Sequence, residues 1–219
     1  MPWLPGGVVD ANPDLKPEKS WNYEVGMNAL FGGFITDRDQ TSIKAAFFYD
    51  DVEDFININS SIDNDGIEHF RAENIGRVVR KGVELTGTYA IDNFSATASY
   101  GLVHVTDKET DKRVTGITPQ SVNLKLDYKL PKQFLNTWYR LSWSDAASGA
   151  KDKNTATTRV NYGSVVTHSL GLTWTPKIPN FWDFVAGVAI ENITDEEYRY
   201  VNGSWGYGRG VRVWVSGRF

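Results

Sequence analysis

The chain has 219 residues, 41% of them hydrophobic and 13% aromatic, and a formal net charge of −4; that much apolar material orders a chain and excludes disorder. No apolar run approaches the roughly 18 to 20 residues that a membrane-spanning helix needs, and the absence of cysteine removes disulfide frameworks and thiolate metal or redox sites. Net acidity without a clustered basic patch argues against a nucleic-acid partner.

Met1 is followed by Pro2 and Trp3, where a secretion signal would place a basic and then an apolar region. Residues 1–20, rich in Pro and Gly, read as a loop. From Trp21 a two-residue alternation takes over, the period of a strand with one apolar face. Trp21, Tyr23, Val25, Met27, Ala29 and Phe31 share one face, and Ile43, Ala45, Phe47 and Tyr49 do so in the next segment. Parity slips near Asp51, which reads as a bulge or bend, and Asp63 to Gly66 reads as a turn. Residues 67–91 read as one long strand, irregular around Asn74 to Gly76 and ended by a tight connection at Asp92 and Asn93. Further apolar sets follow at Phe94–Leu102, Val122–Tyr128, Leu135–Trp143, Leu170–Trp174, Trp182–Ile190 and Val211–Phe219. The reading gives about nine strands of roughly ten residues, close to the length a tilted membrane strand requires.

Connections alternate between short (34–40, 92–93, 130–132, 176–181) and longer (107–116, 145–164, 194–209), with 61–66 as the exception. Short turns at one end and long loops at the other are the habit of transmembrane barrels. Phe31, Tyr89, Phe94, Tyr128, Trp174 and Trp182 sit beside the short turns, where a barrel carries its interfacial aromatics. A soluble β-sandwich also alternates and is the competing reading, as is a self-contained barrel of eight to ten strands such as an adhesin, porin or protease.

Asn12-Pro-Asp-Leu-Lys-Pro-Glu and the following Tyr23-Glu-Val-Gly26 resemble the NPxLKPE…ExG segment of TonB-dependent outer-membrane receptors. Asn74-Ile-Gly-Arg-Val-Val-Arg-Lys-Gly-Val-Glu84, Thr118-Pro119, Asn192-Ile-Thr-Asp-Glu-Glu-Tyr198, Gly208-Arg-Gly210 and Arg218-Phe219 are similar, in order, to further motifs of that family. The Pro that commonly precedes the family's last GR is replaced here by Tyr207. The resemblance implies the C-terminal nine or ten strands of a 22-stranded antiparallel transmembrane β-barrel, with 1–20 as an extracellular loop, 21–219 as barrel and the plug domain outside this chain. It further implies residence in the outer membrane and no enzymatic activity. Expected partners are an iron chelate (siderophore or heme), the lipid bilayer, the TonB complex through an N-terminal part, and the barrel assembly machinery through Phe219. No cofactor and no metal site are expected.

His69, His104 and His168 lie on separate segments without ligand spacing and read as isolated histidines. Asp63-Asn-Asp-Gly66 echoes part of a calcium loop but lacks the twelve-residue frame, so it reads as a turn. Glu24, Lys44, Glu84, Lys125, Asp127, Arg140, Asp183, Arg212 and Arg218 fall on the polar face and read as an inner wall. The expected ligand contacts are Arg199, Tyr200, Trp205 and Tyr207, because the loop from Thr194 to Arg209 gathers aromatic faces and guanidinium groups suited to a planar anionic chelate. Tyr198 and Arg209, in the motif-bearing ending, are expected to pack the loop instead.

Overall fold

The computed structural model describes residues 7–114, 116–147, 163–177, 183–198 and 206–218. Its strands are β1 (Gly7–Asp10), β2 (Lys19–Gly32), β3 (Asp39–Glu53), β4 (Ile56–Ile62), β5 (Glu68–Asn74), β6 (Val78–Ile91) and β7 (Phe94–Asp107). They continue with β8 (Lys112–Arg113), β9 (Gln120–Leu130), β10 (Leu135–Ser144), β11 (Val165–Trp174), β12 (Asp183–Glu191) and β13 (Gly210–Arg218). The larger sheet runs β13-β12-β11-β10-β9-β7-β6-β3-β2, with β8 beside β7. Nine long strands form that path, as the alternation predicts, and β2 and β13 end it without pairing to each other, so the sheet does not close. A self-contained small barrel would have closed it.

The chain divides into two compact units, one of residues 1–24, 48–81 and 104–114, the other of 25–47, 82–103 and 115–219. In the first, β1 runs parallel to β5 and β4 antiparallel to it, a separate sheet of order β1-β5-β4. The 67–91 strand of the sequence reading is therefore two strands in different sheets. The physical reason lies at the hairpin base. Asp54 takes a left-handed conformation (φ 53) and ends β3, while Phe55 and the Ile75–Gly76 segment exchange backbone hydrogen bonds of 3.0 and 2.8 Å. Asp63 accepts from the amides of Asp65 and Ile67 and closes the expected turn. The 61–66 turn thus belongs to an excursion of residues 54–77 between β3 and β6, and the alternation of short and long connections has no exception. The first twenty residues, read as a loop, carry the short β1. Gly7 allows it, because a Cβ there would collide with the Phe70 ring and the carbonyl of Glu68. The core of this unit is a set of β-branched side chains, Val52, Val78, Val79, Val105 and Val114, all buried.

In the second unit β7 and β9 to β13 pair antiparallel in a register that joins like with like. Phe94, Tyr128, Thr137, Leu172, Val188 and Val213 form one cross-strand row, and Ala96, Leu126, Tyr139, Leu170, Ile190 and Val211 form the next on the same face. A slip of one residue would scatter both rows across two faces, so the apolar pattern itself fixes the register. Leu170 and Val188, on strands inside the sheet, remain 47% and 42% exposed, whereas Trp138 and Ala189 on the polar face are 8% and 2% exposed. A soluble sandwich buries its apolar face; this sheet leaves that face bare. The short turns are tight: the Asp39 carboxylate accepts the amides of Phe34, Ile35 and Thr36 at 2.6–2.7 Å, Asp92 takes φ 48, and a 3-10 turn at Pro131–Gln133 joins β9 to β10. Beside them Phe31 meets Phe34, and Trp174 meets Phe184 edge-on at 6.1 Å.

Candidate ligand-binding site

The polar face of the second unit is built in rows by the same register. Ser95, Asp127, Trp138, Gly171, Ala189 and Arg212 make one, Thr97, Lys125, Arg140 and Ser169 the next, and Ser99, Asn123, Ser142 and Thr167 the third. Trp138 lies opposite Gly171 and Trp214 opposite Gly187. A Cβ at either glycine would fall on the indole ring, so each ring lies over its neighbour's bare backbone. A guanidinium rests on each ring: Arg140 Cζ is 5.3 Å from the Trp138 centroid and Arg212 Cζ 5.1 Å from that of Trp214, within the range of a cation–π contact. Arg212 is also paired with Glu191 at 2.7 Å, and Lys125 with Asp127 at 2.9 Å.

Above these rows a cavity of about 280 Å³ is lined by Thr118, Ser121, Asn123, Ser142, Thr167 and Tyr198, among others. Ser142 donates to Asn123 Oδ1 at 2.8 Å. The lining is rich in hydroxyl and amide groups that can turn to donate or accept, and Tyr198 adds an aromatic side. Composition gave no hint of this cavity, because Ser and Thr at alternate positions look like any solvated strand face.

Of the expected contacts, Arg199, Tyr200 and Trp205 lie outside the described residues, as do Trp182 and Phe219. Tyr207 is 83% exposed, and its carbonyl accepts from Asn192 Nδ2 at 3.0 Å. Asn192 is buried, takes φ 49 and also holds both the amide and the carbonyl of Glu196. Asp195 accepts the Arg209 amide at 2.7 Å and its guanidinium at 3.5 Å. Tyr198 covers Gly206, whose amide it accepts at 2.8 Å through its carbonyl. The Asn-Ile-Thr-Asp and Gly-Arg motifs thus clamp the root of the loop, and Tyr198 and Arg209 do the packing expected of them.

The three histidines occupy three settings. His168 Nδ1 meets the Tyr139 hydroxyl at 2.6 Å, and His104 Nδ1 meets Arg113 at 2.7 Å. His69 lies between two carboxylates, Nδ1 3.0 Å from Asp10 and Nε2 3.2 Å from Asp63. Its two nitrogens point to opposite sides of the ring, so they bridge the carboxylates and do not converge with them on an ion. The Asp10 carboxylate first, and then that of Asp63, raise the His69 pKa above its ordinary value. The amide of Ile67 is the largest influence on Asp63 and holds it below the usual carboxylate range.

The model of the TonB-dependent receptor-like β-barrel matches residues 3–193. The heme/hemopexin utilization protein C of Haemophilus influenzae (strain 86-028NP) is 26% identical over 194 residues, 86% of this chain and 27% of that protein. The chain therefore spans little more than a quarter of that relative. Among solved structures, the FrpB iron transporter from Neisseria meningitidis (F3-3 variant) is 19% identical with a TM-score of 0.65, covering 95% of this chain and 32% of its own. The copper transporter OprC is 16% identical with a TM-score of 0.69, covering 93% and 31%. These two support the fold alone, and their different cargoes show that the fold does not choose the substrate. The unclosed antiparallel sheet, its bare apolar face and the match over most of its length agree: the chain belongs to the TonB-dependent receptor family and is part of the β-barrel of an outer-membrane protein.

Proposed function

We propose that this chain is the C-terminal barrel part of a receptor that captures an iron chelate at the cell surface and admits it when TonB displaces a plug domain carried elsewhere in the protein. Heme is the chelate favoured, because the Haemophilus relative's name carries it. The observation that supports the reading best is the division of faces: bare apolar rows suited to lipid on one side, and hydroxyl, amide and guanidinium rows with a cavity on the other. In this reading the apolar face meets the bilayer and the polar face lines the lumen. Residues 1–20, 54–77, 108–119, 145–164 and 192–209 then lie outside the cell, and the short turns lie in the periplasm. Phe219 is the residue through which the assembly machinery recognises the barrel in this reading.

The test is growth of an iron-starved strain on hemin as its sole iron source. Deleting the gene for the full-length receptor abolishes growth and restoring it rescues it; undiminished growth on hemin would count against heme uptake. Arg199, Tyr200, Trp205 and Tyr207 remain the ligand contacts we propose for the 194–209 loop. Trp205→Ala weakens hemin binding about tenfold, the loss of one stacking contact of ~1.4 kcal/mol, at unchanged receptor stability. Unchanged affinity would give the loop a packing role instead.

A further inference from the structure

The two tryptophan–arginine stacks of the polar face differ in one respect. Arg212 is neutralised by Glu191, whereas among the described residues Arg140 is in no ion pair and lies over the Trp138 ring. Arg140 is exposed, yet its base is not loose. Trp138 is buried against Gly171, and the guanidinium over its ring makes a contact that uses none of its N–H donors.

Its place in the register gives that edge a target. Arg140 has Lys125 opposite it on β9 and Ser169 opposite it on β11. One same-face step along each strand, about 7 Å, stand Asn123, Ser142 and Thr167, all three lining the cavity. The row Lys125–Arg140–Ser169 is therefore the next course of wall below a cavity lined mainly by hydroxyl and amide groups, with Asp145 its one charged lining residue, and one of the row's two cations is already spent on Asp127. The cavity, at about 280 Å³, lies at the small end of ligand pockets, which run to roughly 300–1,000 Å³, a size that admits an arm of a chelate.

We infer that Arg140 is a binding residue for a carboxylate arm of the transported chelate, received through the hydroxyl-lined cavity and held by paired N–H donors of the guanidinium. Planar, two-pronged recognition of a carboxylate is what an arginine fork supplies and a lysine does not. The inference rests on the iron-chelate reading above, and goes beyond it in naming the chemical group and the residue.

The experiment uses the purified full-length receptor in detergent, titrated with hemin and with hemin dimethyl ester, whose two carboxylates are blocked, and read by the Soret shift. Wild-type receptor binds hemin more tightly than the ester. Arg140→Gln weakens hemin binding tenfold or more, leaves the ester unchanged, and retains the heat-modifiable electrophoretic mobility of a folded barrel; Arg140→Lys restores part of the hemin affinity. Equal binding of hemin by wild type and Arg140→Gln, or an equal loss for hemin and ester, would overturn the carboxylate site while leaving heme uptake standing. Failure of the wild-type receptor to bind hemin would remove the heme reading and this site with it.

Discussion

The wall formed by β9 to β13 is antiparallel throughout and the three-stranded sheet of β1, β5 and β4 is mixed, and the two are held by different forces. In the wall, long strands align apolar side chains in unbroken rows on one face and press indole rings onto glycines on the other. In the small sheet the strands are short and its polar face is tied by charges, with His69 between Asp10 and Asp63 and Asn59 donating to Glu73 at 2.7 Å. The lesson is that strand length and solvent decide which interactions matter. A lipid-facing row gains little from the hydrophobic effect between neighbours and is fixed by the penalty on polar groups, whereas a small wet sheet depends on pairings that pH can undo.

The largest expected effect breaks the wall from its apolar side. Leu124→Arg in the full-length receptor should destabilise the barrel by about 2–4 kcal/mol, while a substitution at the adjacent Asn123 should cost little; urea titration in lipid vesicles measures both, and reversed sensitivities would invert the two faces. A smaller effect comes from the polar side. Gly171→Val thrusts methyl groups into the Trp138 ring and should cost about 1–3 kcal/mol, whereas Gly87→Ala, with nothing within 4 Å of the added Cβ, should be close to neutral. Equal costs at the two glycines would refute the ring-over-glycine account.

The smallest effect belongs to the three-stranded sheet and depends on pH. His69 is raised above its ordinary value in the folded state, so its bridge is fully present below the unfolded value of about 6.5 and is lost as pH rises through the folded one. Protection of the Val8 to Asp10 amides from hydrogen exchange, corrected for intrinsic rates, should fall across that window. His69→Ala should flatten the dependence. A pH profile that persists in the variant would assign the effect to another group.

Much of the wall was legible because a lipid-facing barrel writes its register in the sequence. The sets Phe94–Leu102, Val122–Tyr128, Leu135–Trp143 and Leu170–Trp174 have the predicted parity, each strand presenting its apolar residues to the same face as its neighbours. The two ends of the excursion at 54–77 left traces in the sequence, the parity slip near Asp51 and the irregularity at Asn74 to Gly76, but that they bound a separate pair of strands was not legible, because Ile56 and Ile58 continue to look like strand residues and the break rests on a left-handed Asp54. β1 was missed for a related reason: four residues paired parallel to a distant partner leave no local period. The clamp of Asn192, Asp195 and Arg209 was visible as a motif but not as a set of hydrogen bonds. The stack of Gly171, Trp138 and Arg140 joins residues more than thirty positions apart, and only the register brings them together.

The central claim is that odd and even positions of these strands face different solvents, and site-directed spin labelling tests it directly. This chain has no cysteine, so single cysteines at Leu124, Leu172 and Val213, and at Asn123, Ser142 and Arg212, can be labelled one at a time in a full-length receptor, reconstituted in bilayers, in which any cysteine outside this chain has been replaced by serine. Labels at Leu124, Leu172 and Val213 should collide readily with oxygen and poorly with a water-soluble nickel chelate, and labels at Asn123, Ser142 and Arg212 should do neither in the manner of a lipid-facing site. Oxygen accessibility that is equal on the two faces, or highest at Asn123 and Ser142, would contradict the account.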